Sequence, residues 1–206
     1  MIKLHHLNHS RSIRALWLLE EIGLPYELVA YRRDPQSHFA PPALAAIHPL
    51  GKSPVIELDG QLIAESGAMT EVLIERFAPH LAPERSSADH AAYLQWIHFA
   101  ESSAMLPLLL KIFSSRESAA LTFLPGYAQQ ECDKVLGYLE SSLAGRTYLL
   151  GERLSGADFM MVFVAELALR LEQPENYPNL QRYVSGLREL DSWKRAQQVE
   201  QQQYSS

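Results

Sequence analysis

What the chain has little of narrows it before any motif is considered. It has one cysteine, Cys132, in 206 residues, so no intrachain disulfide is available, and a reducing compartment is the expectation. Basic residues are outnumbered, 18 Lys and Arg against 24 Asp and Glu. With a net charge of −6 the chain offers no basic face for a nucleic acid, and none is expected as a partner. No apolar run approaches the roughly 20 residues of a membrane-spanning helix. The opening Met1-Ile2-Lys3-Leu4-His5-His6 reads as a strand and lacks an apolar leader region. A cytoplasmic protein with no membrane partner is the expectation. No metal is expected either: His5 and His6 are neighbours on a strand, so their side chains leave on opposite faces and cannot share an ion.

What is present fits a soluble protein with a sizeable core, at 47% hydrophobic and 20% charged residues. Residues 1–78 alternate short strands with helices. Ile2–Leu7 is β-like, and from Ser12 the apolar Ile13, Leu16, Trp17 and Leu19 follow a 3.6-residue period that Gly23 is placed to stop. Residues 26–32 read as a second strand, paired in parallel with the first because a helix intervenes. Asp59-Gly60 between two apolar runs predicts a hairpin over 55–58 and 61–64, and a helix follows over 66–77. Residues 79–87, with Pro79 and Pro83 and no periodicity, read as a linker. Residues 88–206 read as helical throughout, with a bend at Pro107, a central buried helix over 159–171 and a frayed polar tail from Gln197. Ser155 and Asp158 form the signature of a capping box, with Leu154 and Phe159 as its hydrophobic staple. The fold class is an α/β N-terminal layer followed by an all-α bundle.

The densest signal is His48-Pro49-Leu50-Gly51-Lys52-Ser53-Pro54-Val55-Ile56, followed by Ala64-Glu65-Ser66-Gly67-Ala68. A Ser53-Pro54 bond is of the kind that adopts cis cheaply. In that form the Val55 N–H and C=O face outward, available to an extended peptide; in the trans form Pro54 merely opens an edge strand. Ser66 stands where a helix begins, a place that favours an anion, or it serves only as an N-cap. Glu65 beside it is suited to an ammonium group. Together the two describe a receptor for an α-amino acid head.

In combination, the β-α-β start, the Pro-Leu-Gly-Lys-Ser-Pro-Val turn, the Asp-Gly hairpin and Glu65-Ser66 resemble the thioredoxin-like domain of glutathione transferases. The helical remainder with Leu-Ser-Gly-Ala-Asp is similar to that family's second domain. More narrowly, residues 8–12 with 16–21, and 96–102, look like the bacterial and fungal subgroup related to the yeast Gtt1 transferase. The resemblance covers roughly residues 2 to 195. It implies a thioredoxin-like glutathione-binding domain over 1–78, a linker over 79–87, and an electrophile-binding and dimerisation domain over 88–206. It implies glutathione as co-substrate, a homodimer, and conjugation of the glutathione thiolate to small apolar electrophiles, with organic hydroperoxides as a variant substrate. A non-catalytic glutathione-binding or regulatory module is the alternative. Residue by residue, the resemblance gives Val55 the cysteinyl backbone and makes Pro54, after Ser53, the cis-proline. Glu65 and Ser66 take the γ-glutamyl amino and carboxylate groups, Lys52 the glycyl carboxylate, and Glu101 the partner chain's glutathione.

A glutathione thiol must be favoured as thiolate by a donor or a positive potential. In families of this kind that donor stands just after the first strand and is a tyrosine, serine or cysteine. No tyrosine precedes Tyr26 and no cysteine precedes Cys132, so the serine-type option remains, with Ser10 first and Ser12 second. Asn8 and His9 are further donors, and Arg11 adds positive potential. Cys132, between Glu131 and Asp133, reads as an inert thiol. Leu106, Leu110 and Phe113 share one helical face that suits an apolar electrophile, a core or an interface.

Overall fold

Strands and helices form where the apolar pattern changes its period. In the computed structural model, which describes residues 1–117 and 121–204, β1 (Ile2–Leu7) leads into α1 (Ser12–Ile22) and β2 (Tyr26–Tyr31). A short α2 (Ala43–Ile47), the strands β3 (Val55–Leu58) and β4 (Gln61–Ile63), and α3 (Ser66–Phe77) follow. The sheet order is β2-β1-β3-β4, with β1 and β2 parallel and β3 antiparallel to both of its neighbours. The parallel pair is the consequence of the α1 crossover. The antiparallel pair follows from Asp59 and Gly60, whose φ of 51° and 81° are the two positive angles of a type I′ turn. Helix α1 ends at Gly23, which adopts φ 73° and donates its N–H to Leu19 O, a left-handed position that glycine takes without steric cost. The α/β layer is therefore the one the sequence pattern implies. One short helix, α2, stands within a stretch that the pattern leaves irregular.

The described residues gather into two compact units, one of the residues up to 80 together with those from 188 onward, the other of those between 81 and 187. The first unit includes α9 (Asp191–Tyr204), which the sequence reading places in the helical half. Its apolar face lies on α1. Trp17 meets Trp193 edge-on at 5.2 Å and donates its indole N–H to Ser192 Oγ at 3.0 Å. Arg195 donates to the carboxylate and backbone carbonyl of Glu20. The expected fraying from Gln197 does not occur through Tyr204, because this polar stretch carries side chains that hydrogen-bond to the sheet; residues 205–206 lie outside the described residues.

The second unit holds α4 (Asp89–Phe99), α5 (Met105–Arg116), α6 (Leu124–Ser142), α7 (Gly156–Leu171) and most of α8 (Pro178–Glu189). The central helix α7 is buried along most of its length, and its capping box forms as the residues imply. Asp158 does more than cap: its carboxylate accepts from the Leu149 N–H at 3.0 Å and from the Tyr183 hydroxyl at 2.9 Å, besides Ser155. Pro107 does not bend a long helix. It is the third residue of α5, in the first turn, where its missing N–H breaks no helical bond; the chain turns earlier, between Phe99 and Met105. Among the described residues, no helix is long and apolar enough to cross a membrane.

Candidate functional site

The strand directions bring the motif residues to one edge of the sheet. β1 and β2 end there together, Leu7 opposite Tyr31; β3 begins there, Val55 opposite His5; and β4 ends there, Ile63 opposite Ile56. The turns that follow β1, β2 and β4, and the one that precedes β3, are therefore neighbours. Ser53 fastens two of them: its hydroxyl donates to His5 O at 2.8 Å and accepts the Leu7 N–H at 3.1 Å. The Ser53–Pro54 bond is cis. The last β3–β4 pair is Ile56 with Ile63, so Val55 lies beyond the end of β4. Lys52 is exposed beside it.

The turn between β1 and α1 carries the candidate thiol-activating groups. Ser10 is 5% exposed; its hydroxyl donates to Leu7 O at 2.7 Å and accepts the Ser12 N–H at 3.1 Å. Ser12 is fully buried, with its hydroxyl 2.9 Å from His6 Nδ1. His9 is exposed with φ 48°, and Asn8 and Arg11 are half-buried. Asn8 accepts the Arg33 backbone N–H on its side-chain oxygen, and the Arg33 guanidinium donates to the Asn8 and His9 carbonyls. Burial, and then the nearby charge of Arg11, pull the Arg33 guanidinium below its usual range. The Arg33 guanidinium, and the Arg11 charge close enough to act on it, bring two positive charges to this turn.

At the head of α3 the chain adopts an uncommon backbone. Glu65 has φ 68° and ψ 113°, outside the regions a side chain takes readily, at a cost of about 1–3 kcal/mol. The result is an exposed Glu65 carboxylate next to Ser66, which is 6% exposed at the first residue of α3. Arg14, fully buried on α1, donates through Nη1 to Ser66 Oγ at 3.2 Å. With one lone pair of that oxygen engaged, the Ser66 proton and the N-terminal N–H groups of α3 are suited to an anion.

In the second unit, Glu101 is half-buried just past α4. On α5, Leu106 and Phe113 are exposed at 55% and 53%, and Leu110 is half-buried, so this face is largely exposed among the described residues. Cys132 is buried, and burial first, then the charge of Glu172, push its thiol up to about 11, with Lys111 opposing and Asp133 adding. Glu131, the other acid flanking Cys132 in sequence, does not add to this; on α6 its carboxylate takes the Lys134 ammonium. His5 and His6 point to opposite faces, His5 to Tyr31 and Glu57, His6 to Ser12 and Glu200.

Four residues of this region escape sequence reasoning. Arg14 carries a signal, a charge on the apolar stripe of α1. Arg33 does so only once the parallel register places the end of β2 beside Asn8. Glu200 and Tyr204 carry none, since their stretch is polar and distant in sequence. Burial pushes the Glu200 carboxyl upward, but the hydrogen bond from His6, the charge its ring carries when protonated, and the His9 N–H outweigh it and hold the carboxyl below its ordinary value.

Comparison with known proteins gives a consistent result. Residues 1–74 match the family model "Glutathione S-transferase, N-terminal domain", and residues 105–191 match "Glutathione S-transferase, C-terminal domain". The chain is 35% identical to glutathione S-transferase 3 of Schizosaccharomyces pombe over 89% of its own length and 81% of that protein. It is 30% identical to glutathione S-transferase 1 of Saccharomyces cerevisiae over 94% and 92%. The crystal structure of a glutathione S-transferase from Actinobacillus pleuropneumoniae superposes with a TM-score of 0.90 at 32% identity, covering 97% of this chain and 93% of that one.

Proposed function

The chain belongs to the glutathione S-transferase family, and on that premise we propose that it joins the thiolate of glutathione to small apolar electrophiles. The observation that carries this reading is the convergence of three turns, 8–12, 52–55 and 65–66, on one edge of the sheet. Lys52 takes the glycyl carboxylate. Val55, beyond the end of β4, pairs with the cysteinyl backbone. Glu65 takes the γ-glutamyl ammonium, and Ser66, supported by Arg14, takes its carboxylate. The head, middle and tail of one tripeptide are each matched in charge.

The sulfur then falls at the β1–α1 turn. Ser10 and the Arg11 charge stabilise the thiolate there, the hydroxyl turning its proton from Leu7 O to the sulfur. Ser12 lies too deep to reach it. With no cysteine in this turn, mixed-disulfide chemistry has no residue to use, and this reading is of a transferase of the serine type or a related one rather than the cysteine type. The thiolate attacks the electrophilic carbon, a carbon–sulfur bond forms, and the leaving group departs with the bonding electrons. At an organic hydroperoxide the same thiolate attacks the terminal oxygen, the O–O bond breaks, and the alkoxide leaves and is protonated to the alcohol. A second glutathione thiol condenses with the resulting sulfenic acid to give glutathione disulfide and water. The exposed face Leu106, Leu110 and Phe113 on α5 is the apolar surface assigned to the electrophile, Glu101 is assigned to a partner chain's glutathione, and two chains form a homodimer in the cytoplasm.

Passing the purified protein over immobilised glutathione and assaying chlorodinitrobenzene and cumene hydroperoxide tests this. Retention together with turnover supports the transferase. Retention without turnover would leave a binding module, and neither would refute both.

A further inference from the structure

The β1–α1 turn is fastened from the far end of the chain. Glu200 on α9 places Oε1 3.2 Å from His6 Nε2 and also accepts the His9 backbone N–H. The other ring nitrogen of His6 lies 2.9 Å from Ser12 Oγ. One turn further along α9, the Tyr204 hydroxyl lies 3.3 Å from His6 O, next to the last residue of β1, and 3.0 Å from Tyr31 O at the end of β2. His6 and Ser12 are wholly buried, and the Glu200 side chain is 17% exposed. With the Nε2 proton committed to the carboxylate, Nδ1 is the acceptor of the ring and the Ser12 hydroxyl donates to it. One carboxylate therefore fixes His6, the peptide of His9 and, through the ring, the serine that opens α1.

Two roles for this carboxylate can be separated by sign. As a charge, Glu200 works against a thiolate formed at the turn, since like charges repel. As an acceptor, it holds the backbone on which Ser10 and Arg11 are carried, through the His9 N–H and the His6 ring. The geometry supports the second role.

We propose that Glu200 is a positioning residue for thiol activation, holding the 8–12 turn through the His9 N–H and the His6 ring so that Ser10 and Arg11 meet the sulfur. This rests on the reading of that turn as the thiolate site. The misplacement of an activating group by a fraction of an ångström is enough to lower a rate markedly.

The test uses the full-length protein with Glu200→Ala and Glu200→Gln. The ionisation of bound glutathione is followed by the ultraviolet absorbance of the thiolate against pH, alongside kcat and KM. In Glu200→Ala the bound thiol titrates about one unit higher, kcat below that range falls about tenfold, and KM for glutathione stays within about twofold. Glu200→Gln, which keeps one acceptor oxygen, lies between. A brace that serves stability alone lowers the unfolding temperature and leaves the bound-thiol titration unmoved; that result overturns the proposal. If Glu200→Ala does not fold, Glu200→Gln is read by the same titration, a raised value supporting the proposal and an unmoved one overturning it. A wild-type protein that neither binds nor conjugates glutathione refutes the transferase reading itself, whereas an active wild type with an unshifted Glu200→Ala refutes only the role of Glu200.

Discussion

Arg14 Nη1 lies 3.2 Å from Ser66 Oγ, joining a fully buried guanidinium on α1 to the first residue of α3. The guanidinium can only donate, so the serine oxygen accepts and its own proton is left to point outward. A carboxylate bound there gains a hydroxyl donor, the helix N-terminus and a buried positive charge behind both. Replacing Ser66 with Ala removes the hydroxyl from this arrangement. Affinity for glutathione should fall about tenfold, the loss of one hydrogen bond to a charged group. At saturating glutathione kcat should stay within about twofold, because the thiol is held elsewhere. Titration calorimetry and steady-state kinetics together check the split.

Glu65 sets function against stability. Its φ of 68° suits glycine better than any residue with a side chain. Glu65→Gly should therefore keep or raise the unfolding temperature while weakening glutathione binding by about tenfold through loss of the ammonium partner. A variant that lost stability would show that the backbone at this position carries no strain.

The two serines of the β1–α1 turn should part company. Ser10→Ala should raise the pKa of bound glutathione and slow conjugation while leaving KM for glutathione close to wild type. Ser12→Ala leaves buried His6 Nδ1 without its donor, which costs about 1–3 kcal/mol of stability. Thermal unfolding and thiolate absorbance on both variants distinguish the roles; an unchanged thiol titration in Ser10→Ala moves activation to Arg11 and its neighbours.

Asp158 gives a pH signature to the second unit. Burial pushes its carboxyl up from 3.8 to about 6, against the hydrogen bonds from Leu149, Ser155 and Tyr183 that favour the charged form. A carboxyl raised on folding binds its proton more tightly in the folded state, so its contribution is fully present below the unfolded value and is lost as pH rises through the folded one. The window runs from about pH 4 to about pH 7, and the loss across it amounts to about 3 kcal/mol. Denaturant unfolding of wild type and Asp158→Asn at both ends should show their stability difference moving in the Asn variant's favour as pH rises. A difference that does not change with pH contradicts the raised carboxyl.

Much of this architecture is legible because the signals are local. The Asp59-Gly60 turn, the glycine stop of α1, the capping box at Ser155 and the change from strand to helix period each depend on residues within a few positions of one another. The motif residues Lys52, Ser53, Pro54, Val55, Glu65 and Ser66 stand out for the same reason, and the strand register then places their turns along one edge. What escaped depends on distant partners. Nothing near Glu200 or Tyr204 announces that a polar helix will seat two side chains against His6, and nothing near Arg14 says its charge will meet Ser66. The placement of Pro107 in the first turn of α5 hinged on where α4 stops, which periodicity across 96–113 does not mark.

On the proposed reading, the three turns form one glutathione site serving conjugation. Its most direct test is the rate of chlorodinitrobenzene conjugation by the purified protein as glutathione is varied, repeated on the Lys52→Ala, Ser66→Ala double variant. The wild-type rate should saturate with glutathione, and KM should rise about a hundredfold in the double variant, two independent charged contacts being lost. A wild-type rate no greater than that without protein, or a double variant with unchanged KM, would contradict it.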